Sequence, residues 1–190
     1  MVALVAGGHK ARPYVSQSNI MMHPTNITRA GIVAEARDWI GTPYRHQASC
    51  KGVGCDCLGL VRGVWRVVVG PEPEATPPYA ADWAEASRKE ALAEAALRHL
   101  VPVAPSQPSP SKRAFTPVFD GLCGGGLGWG PGDVLLFRWR AGFVAKHAAI
   151  AVAHDRMVHA HDGAAVAEVA IAPWWRRRLA YAFRFPGVTD

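Results

Sequence analysis

The chain has 190 residues, of which 49% are hydrophobic and 19% are charged. This length and composition are sufficient for one domain with a sizeable core, and they exclude wholesale disorder. The 21 Lys and Arg residues outnumber the 15 Asp and Glu residues, which gives a net charge of +6. Because this excess is modest and spread along the chain, it is typical of a basic surface and does not specify a nucleic-acid partner.

Neither an export signal nor a membrane span is predicted. The apolar residues 1–6 are too few for the apolar region of a secretory signal peptide, and they lead directly into His9, Lys10 and Arg12. No apolar run approaches the ~20 residues that a membrane-spanning helix needs. We therefore expect synthesis in the cytoplasm and delivery by another component if the protein acts outside the cell.

The N-terminal part predicts a tail followed by a first helix. Residues 1–25 mix Gly, Ser, Pro, His and Met without a period, which indicates a flexible tail. Residues 26–40 have helical periodicity, with Asn26 or Thr28 as the cap. Its predicted apolar face consists of Ile32, Val33, Ala36 and Ile40.

A second helix is predicted to begin at a cysteine. After a Gly- and Cys-rich loop at residues 41–55, apolar residues recur at helical spacing from Cys57 to Val68. Gly70 and Pro71 end the run. The pattern therefore places Cys57 at the first turn of a helix, facing inward.

A third helix and a long loop follow. Asp82 and Glu85 are spaced as a capping box, ahead of a predicted buried face. That face consists of Leu92, Ala96, Leu97 and Leu100. Residues 102–131 are rich in Pro, Ser and Gly and predict a loop that is long for a compact domain, with disorder favoured.

The C-terminal part predicts antiparallel strands, because short apolar runs alternate there with turn-forming residues. The runs are residues 134–139, 147–153, 157–160, 165–170 and 179–185. Helices followed by strands indicate an α+β domain in which the N-terminal helices pack on a C-terminal antiparallel sheet. We expect one domain over residues 26–190.

One cysteine and two histidines fit nucleophilic catalysis. A thiol attacks as the thiolate, and an ordinary cysteine with a pKa of about 8.5 is mostly protonated at neutral pH. The first turn of a helix offers Cys57 unpaired N–H groups and a partial positive charge that would lower this pKa. His147 begins one predicted strand and His159 ends the next, so these rings can be cross-strand neighbours that serve as a base and its orienting partner.

Five segments, taken together in order and spacing, carry a family resemblance. They are residues 41–45 (GTPYR), 54–61 (GCDCLGLV), 132–137 (GDVLLF), His147 and 158–160 (VHA). This set resembles the NlpC-type family of papain-like cell-wall endopeptidases, and the resemblance covers residues 30–185. The chain departs from the family pattern at Leu58, at Ala148 and Ala149, and in the length of the 102–131 loop.

The resemblance implies both a fold and an activity. It implies a papain-like cysteine peptidase fold in which Cys57 is the nucleophile, His147 the general base and acid, and His159 the orienting residue. Tyr44 and Asp56 would contribute to substrate binding. The implied substrate is the peptidoglycan stem peptide, cleaved between γ-D-glutamate and a diamino acid, without a metal or organic cofactor.

The region around Cys57 and the segment at residues 173–178 (PWWRRR) resemble most the branch carried by tailed bacteriophages and gene transfer agents. This implies tail or baseplate proteins as partners. The protein would then be assembled into a phage-like particle and would open the cell wall from the periplasmic side during delivery.

Three alternatives remain open at this level. The first is a zinc site with the ligands His46, Cys50, Cys55 and Cys57, although Cys-x-Cys departs from the usual ligand spacing.

The other two alternatives concern the C-terminal segment and the whole domain. Residues 174–178 combine Trp and Arg and could contact single-stranded nucleic acid or a particle protein. The domain could also have kept its fold as a catalytically silent, wall-binding component. We expect the cysteines, including Cys123, to be free thiols.

Overall fold

The computed structural model describes residues 26–79, 89–103, 128–140 and 142–190. The predicted tail at residues 1–25, the predicted capping box at Asp82 and Glu85, residues 104–127 of the predicted loop and Cys123 lie outside these ranges. Within them, no helix is both long enough and apolar enough to cross a membrane.

The first helix, α1 (Arg29–Arg37), begins where the sequence predicts, since the Thr28 hydroxyl accepts a hydrogen bond from the Gly31 N–H at 3.1 Å. The predicted burial of Ile40 is wrong: its side chain is 47% exposed. The helix ends at Arg37 and the chain then turns, so Trp39 enters the core instead.

The second helix, α2 (Cys57–Val68), has the predicted bounds and is capped by the side chain of Asp56. The third, α3 (Ala91–His99), buries three of the four predicted residues, Leu92, Ala96 and Leu100. Leu97 is 55% exposed. It follows Leu92 by five residues and therefore lies about 140° away around the helix.

The strands form two sheets in the described residues. A short pair consists of β1 (Ser49–Cys50) and β2 (Gly54–Cys55). The main sheet contains β3 (Val101–Pro102), β4 (Val134–Phe137), β5 (His147–Ala153), β6 (Arg156–His159), β7 (Ala167–Ala170) and β8 (Leu179–Arg184). Its order is β3-β8-β4-β5-β6-β7, and every neighbouring pair is antiparallel.

All five predicted strands are present, with ends that shift by up to two residues. Strand β3 lies at the edge of the predicted loop. It forms because Val101 and Pro102 pair with β8, and the Val103 N–H donates to the Ala182 carbonyl at 2.9 Å.

Both faces of the main sheet are covered. The helix face packs against α1, α2 and α3, and its sheet residues include Val134, Leu136, Ala148, Ile150 and Val158. The aromatic face packs against Trp129 and the short helix α4 (Pro173–Arg176), and its sheet residues include Leu135, Phe137, Ala149, Ala151 and Met157. Because β5 lies inside the sheet and both of its faces are covered, its residues from His147 to Val152 are all buried.

Candidate active site

The candidate nucleophile, Cys57, is the first residue of α2 and lies against the helix face of β5. Burial raises the pKa of its thiol to about 11. The Ala148 N–H, together with the N–H groups of Leu58 and of Cys57 itself, acts in the opposite direction, whereas the Asp56 carboxylate raises the pKa further. The N–H groups at the helix start therefore act in the expected direction, but the expected net lowering of the pKa is wrong, because desolvation outweighs them.

Asp56 holds the start of α2 in place. Its Oδ1 accepts the Gly59 N–H at 2.8 Å, and its Oδ2 accepts the Gln47 N–H at 2.7 Å as well as the hydroxyl of Tyr79. The residue is 2% exposed. This geometry gives Asp56 a capping role that positions Cys57, and its contact with a substrate stays a prediction.

The structure brings the two predicted histidines together. Nε2 of His147 lies 3.0 Å from Nδ1 of His159, and both residues are buried. Ile150 pairs with Val158. Continuing that antiparallel register places His159 diagonally across from His147 on the same face of the sheet.

Burial lowers the pKa of both rings. It takes the pKa of His147 well below its ordinary value, and positive charge on His159 or His161 would lower it further. For His159, burial followed by the charge of His161 lowers the pKa to about 4. Both imidazoles are therefore neutral at neutral pH, and His147 can accept a proton there.

The thiol of Cys57 packs against the helix face of the sheet, whereas the ring of His147 packs against aromatic rings of the opposite face. The backbone N–H of Ala148, the residue after His147, lowers the pKa of the thiol, and within the described chain no hydrogen bond joins the thiol to the His147 ring itself. Since His159 occupies Nε2 of His147, the nitrogen left for the thiol proton is Nδ1. Catalytic hydrogen bonds are often long in a free enzyme and shorten when substrate binds.

Aromatic rings surround His147 on the aromatic face. The Trp175 ring is stacked on it, with centroids 5.3 Å apart and planes 27° apart, and Trp139 and Phe137 lie at 5.6 Å and 6.2 Å. Trp175 also contacts His159 edge-on at 5.4 Å. Sequence reasoning missed this role of Trp175, although the preceding Pro is a typical start of a short helix.

The basic run after Trp175 belongs to the folded domain. Arg176 donates to the Ile171 carbonyl at 3.0 Å, and Arg178 donates to the Trp139 carbonyl at 3.0 Å. Arg178 also lies 3.9 Å from the ring centroid of Trp174, which is 40% exposed. Because these two guanidinium groups are engaged within the domain, the interpretation of this segment as a nucleic-acid surface is weakened.

Two further polar residues, Tyr44 and His161, lie near members of the candidate site. Burial raises the pKa of the half-buried Tyr44 to about 12, with further contributions from negative charge on Cys57, Asp56 and Asp162. Tyr44 is therefore near the nucleophile, where the resemblance predicts it. His161 is exposed, and its ring centroid lies 6.1 Å from that of His147. Its two-residue spacing from His159, just beyond the end of β6, could have identified it.

The zinc alternative finds no support in the geometry. His46, Cys50, Cys55 and Cys57 are all described, and no group of three potential ligands that could hold a metal ion occurs among the described residues. Nε2 of His46 is instead 2.8 Å from the carbonyl oxygen of Tyr79. The three described cysteines are free thiols.

Comparison with solved structures gives matches at low sequence identity. An NlpC/P60 family protein from Bacillus cereus ATCC 10987 gives a TM-score of 0.52 at 16% identity, over 83% of this chain and 40% of the other. The chain has a papain-like fold. The NlpC/p60 domain of the peptidoglycan hydrolase SagA gives 0.48 at 21% identity, over 84% of this chain and 100% of that one. A protein from Staphylococcus aureus subsp. aureus Mu50, described as similar to a lipoprotein of the NLP/P60 family, gives 0.49 at 18% identity, over 85% and 42%.

The predicted fold, with N-terminal helices packed on an antiparallel sheet, is confirmed by this likeness and by the observed sheet. No protein-family model and no curated protein matches the chain. The chain spans 40% and 42% of the Bacillus cereus and Staphylococcus aureus structures. A shared fold does not by itself give a function, so activity has to be argued from the site.

Proposed function

We propose that this protein is a cysteine endopeptidase that cleaves peptidoglycan stem peptides between γ-D-glutamate and a diamino acid. The observation that carries the proposal is the position of the Cys57 thiol, at the start of a helix and against the strand that begins with His147. His159 holds the other side of the His147 ring. The proposal gives these three residues the roles of nucleophile, base and orienting residue that acyl transfer needs.

The resting state would be a neutral thiol beside a neutral imidazole. His159 has a pKa of about 4 and so keeps a lone pair that can accept a hydrogen bond at neutral pH. We assign that lone pair to its Nδ1, which fixes the proton of His147 on Nε2. Nδ1 of His147 is then the basic nitrogen, and the thiolate forms only when that nitrogen removes the proton from Cys57.

The reaction would proceed in two halves. In the first, the thiolate attacks the amide carbonyl, N–H groups of Cys57, Leu58 or Ala148 stabilise the oxyanion, and His147 protonates the leaving amine. In the second, water attacks the thioester and gives a proton to His147, the C–S bond breaks to release the carboxylic acid, and His147 returns the proton to Sγ. While His147 carries the proton, the face of Trp175 favours its positive charge by a cation–π interaction.

The decisive experiment is digestion of purified peptidoglycan with analysis of the products by mass spectrometry. Wild-type protein should release fragments with a new γ-D-glutamyl carboxylate, and Cys57→Ala should release none. Cys50→Ala is the matched control, because it removes an exposed thiol on β1 and should leave digestion unchanged. Equal digestion by wild type and Cys57→Ala would reject the proposal.

We also propose that the enzyme is made in the cytoplasm and carried by a phage-like particle, bound to tail or baseplate proteins, so that it acts at the cell wall during delivery. Support comes from the resemblance of the Cys57 region and of residues 173–178 to the phage and gene transfer agent branch. Particles purified from a producing culture should contain the chain, as detected with an antibody. A chain found only outside the particle fraction would contradict this part.

A second candidate is a wall-binding component without catalysis. It is favoured by the raised pKa of Cys57 and by the absence, in the described residues, of a hydrogen bond between the thiol and His147. Cosedimentation with intact peptidoglycan separates the two. Binding by wild type and Cys57→Ala alike, with no fragments from either, would establish this candidate in place of the peptidase.

A further inference from the structure

A cavity of about 480 Å³ adjoins the thiol on the side of α3. It lies between α2, α3 and residues 72–79, and its wall includes Cys57, Leu58, Val61, Trp65, Leu92 and Ala148. Its volume is within the range of about 300–1,000 Å³ that is usual for sites of small ligands. The cavity therefore has room for a substrate group next to the nucleophile.

The wall of this cavity is better suited to an apolar group than to a charged peptide. Four of its charged residues form two ion pairs: Nε of Arg62 lies 2.7 Å from Oε2 of Glu72, and Nη2 of Arg98 lies 2.6 Å from Oε1 of Glu74. The hydroxyl of Tyr79, also on the wall, donates to Asp56. A charged ligand would have to compete with these pairs, whereas an apolar ligand gains from leaving water.

The geometry also assigns the cavity to one half of the substrate. The leaving group has to be protonated by His147, whose ring lies against Trp175 and Trp139 on the aromatic face. The cavity contacts Cys57 and Ala148, and His147 is not among the described residues of its wall. The acyl group stays bonded to Sγ through both half-reactions, so it is the half that can remain in the cavity.

We propose that this cavity is an acyl pocket, and that Cys57 accepts acyl groups with an unbranched apolar chain from amides or activated esters. In this reaction the C–N or C–O bond breaks, the S–C bond forms, and the leaving amine or alcohol takes the proton held by His147. Water then cleaves the thioester to give the carboxylic acid and the free thiol. This activity goes beyond the proposed cleavage of stem peptides and shares only its reacting residues.

The test uses the p-nitrophenyl esters of acetate, butyrate, hexanoate and octanoate with the full chain. The Cys57→Ala rate is subtracted as background. Each methylene buried contributes about 0.8 kcal/mol, so kcat/KM should rise about 4-fold per methylene until the cavity is filled. A Cys57-dependent rate that is flat or falls with chain length would overturn the proposal, as would the absence of any Cys57-dependent hydrolysis.

Substitutions in α3 test whether the dependence of kcat/KM on chain length arises in this cavity. Ala95→Phe places a ring at the cavity wall and should lower kcat/KM for the octanoate at least 10-fold, while leaving the acetate within 2-fold. Leu97→Phe is the matched control, because Leu97 is 55% exposed on the same helix, and it should keep the wild-type chain-length dependence. Ala95→Leu replaces Ala95→Phe if the latter does not fold. Octanoate selectivity that both Ala95 variants retain would overturn the proposal.

The result is independent of the stem-peptide assay. Chain-length dependence without digestion of peptidoglycan would support the acyl pocket and count against the proposed peptidase. Digestion of peptidoglycan without chain-length dependence would support the proposed peptidase and count against the acyl pocket.

Discussion

The two faces of strand β5 support the candidate site in different ways. On the helix face, Ala148 packs in the same core cluster as α2, and its N–H lowers the pKa of the Cys57 thiol. On the aromatic face, the His147 ring packs against Trp175 and is held by His159. Because successive side chains of a strand point to opposite faces, the thiol beside Ala148 and the ring of His147 lie on opposite sides of β5 at its start, and the proposed reaction requires them to approach each other there.

The comparison shows that the position of the thiol and the protonation of the base are set by different parts of the structure. The helix face fixes the thiol by backbone contacts: the Asp56 cap and the close approach of α2 to Ala48. The aromatic face sets the protonation of the base by burial and by neighbouring rings. Substitutions on the helix face should therefore act mainly on stability, and those on the aromatic face mainly on rate and pH dependence.

The largest effect is expected from Gly59→Ala on the helix face. A Cβ at Gly59 would overlap the carbonyl oxygen of Ala48, a backbone atom that cannot move without displacing the start of α2. We expect a loss of about 4 kcal/mol or more in the free energy of unfolding, measured by urea denaturation. Gly31→Ala in α1 is the control, because its Cβ would meet only the Thr28 hydroxyl, at 3.2 Å, and should change stability by less than about 1 kcal/mol. Equal losses would refute the close-packing argument.

On the aromatic face, His159→Ala should lower kcat for peptidoglycan cleavage by about 10²-fold to 10³-fold with little change in KM, because the base loses its orientation and not its substrate. His159→Gln should recover part of kcat, since an amide can still accept the hydrogen bond from Nε2 of His147. His154→Ala, on an exposed turn, serves as the control and should match wild type. A KM effect larger than the kcat effect would contradict the positioning role.

The depressed pKa of His159 also predicts a pH dependence of stability. The unfolded state binds the proton with a pKa of about 6.5, whereas the folded state binds it only near 4, so the unfolded state holds more protons between these values. Stability contributed by the neutral ring is thus complete above pH 6.5 and is lost as the pH falls towards 4. The loss should reach up to about 3 kcal/mol and be measured by urea denaturation between pH 7 and 4.5.

His159→Gln should flatten this part of the curve relative to wild type, because the amide does not titrate. Identical curves for wild type and His159→Gln would show that burial of His159 does not carry the effect.

The sequence predicted the helix face better than the aromatic face. Periodicity and capping signals are local, so α2, its cap and the strand that carries His147 could be located from them. The surroundings of His147 are not local: Trp175 comes from a four-residue helix 28 positions later in the sequence, and no period announces that contact. The pKa of Cys57 was wrongly predicted for the same reason, since desolvation depends on tertiary packing.

The smallest expected effect comes from removing the contact between the rings of Trp175 and His147, which the sequence did not predict. Trp175→Leu keeps an apolar side chain on α4 and removes the ring stacked on His147. Because the imidazolium loses a cation–π partner worth about 1 to 2 kcal/mol, we expect kcat to fall about 10-fold and the acid limb of its pH profile to move to lower pH. Trp174→Leu removes the neighbouring, 40% exposed ring and should change kcat by less than 3-fold. An unshifted pH profile in Trp175→Leu would mean that this ring only fills space, and that burial alone sets the protonation of the base.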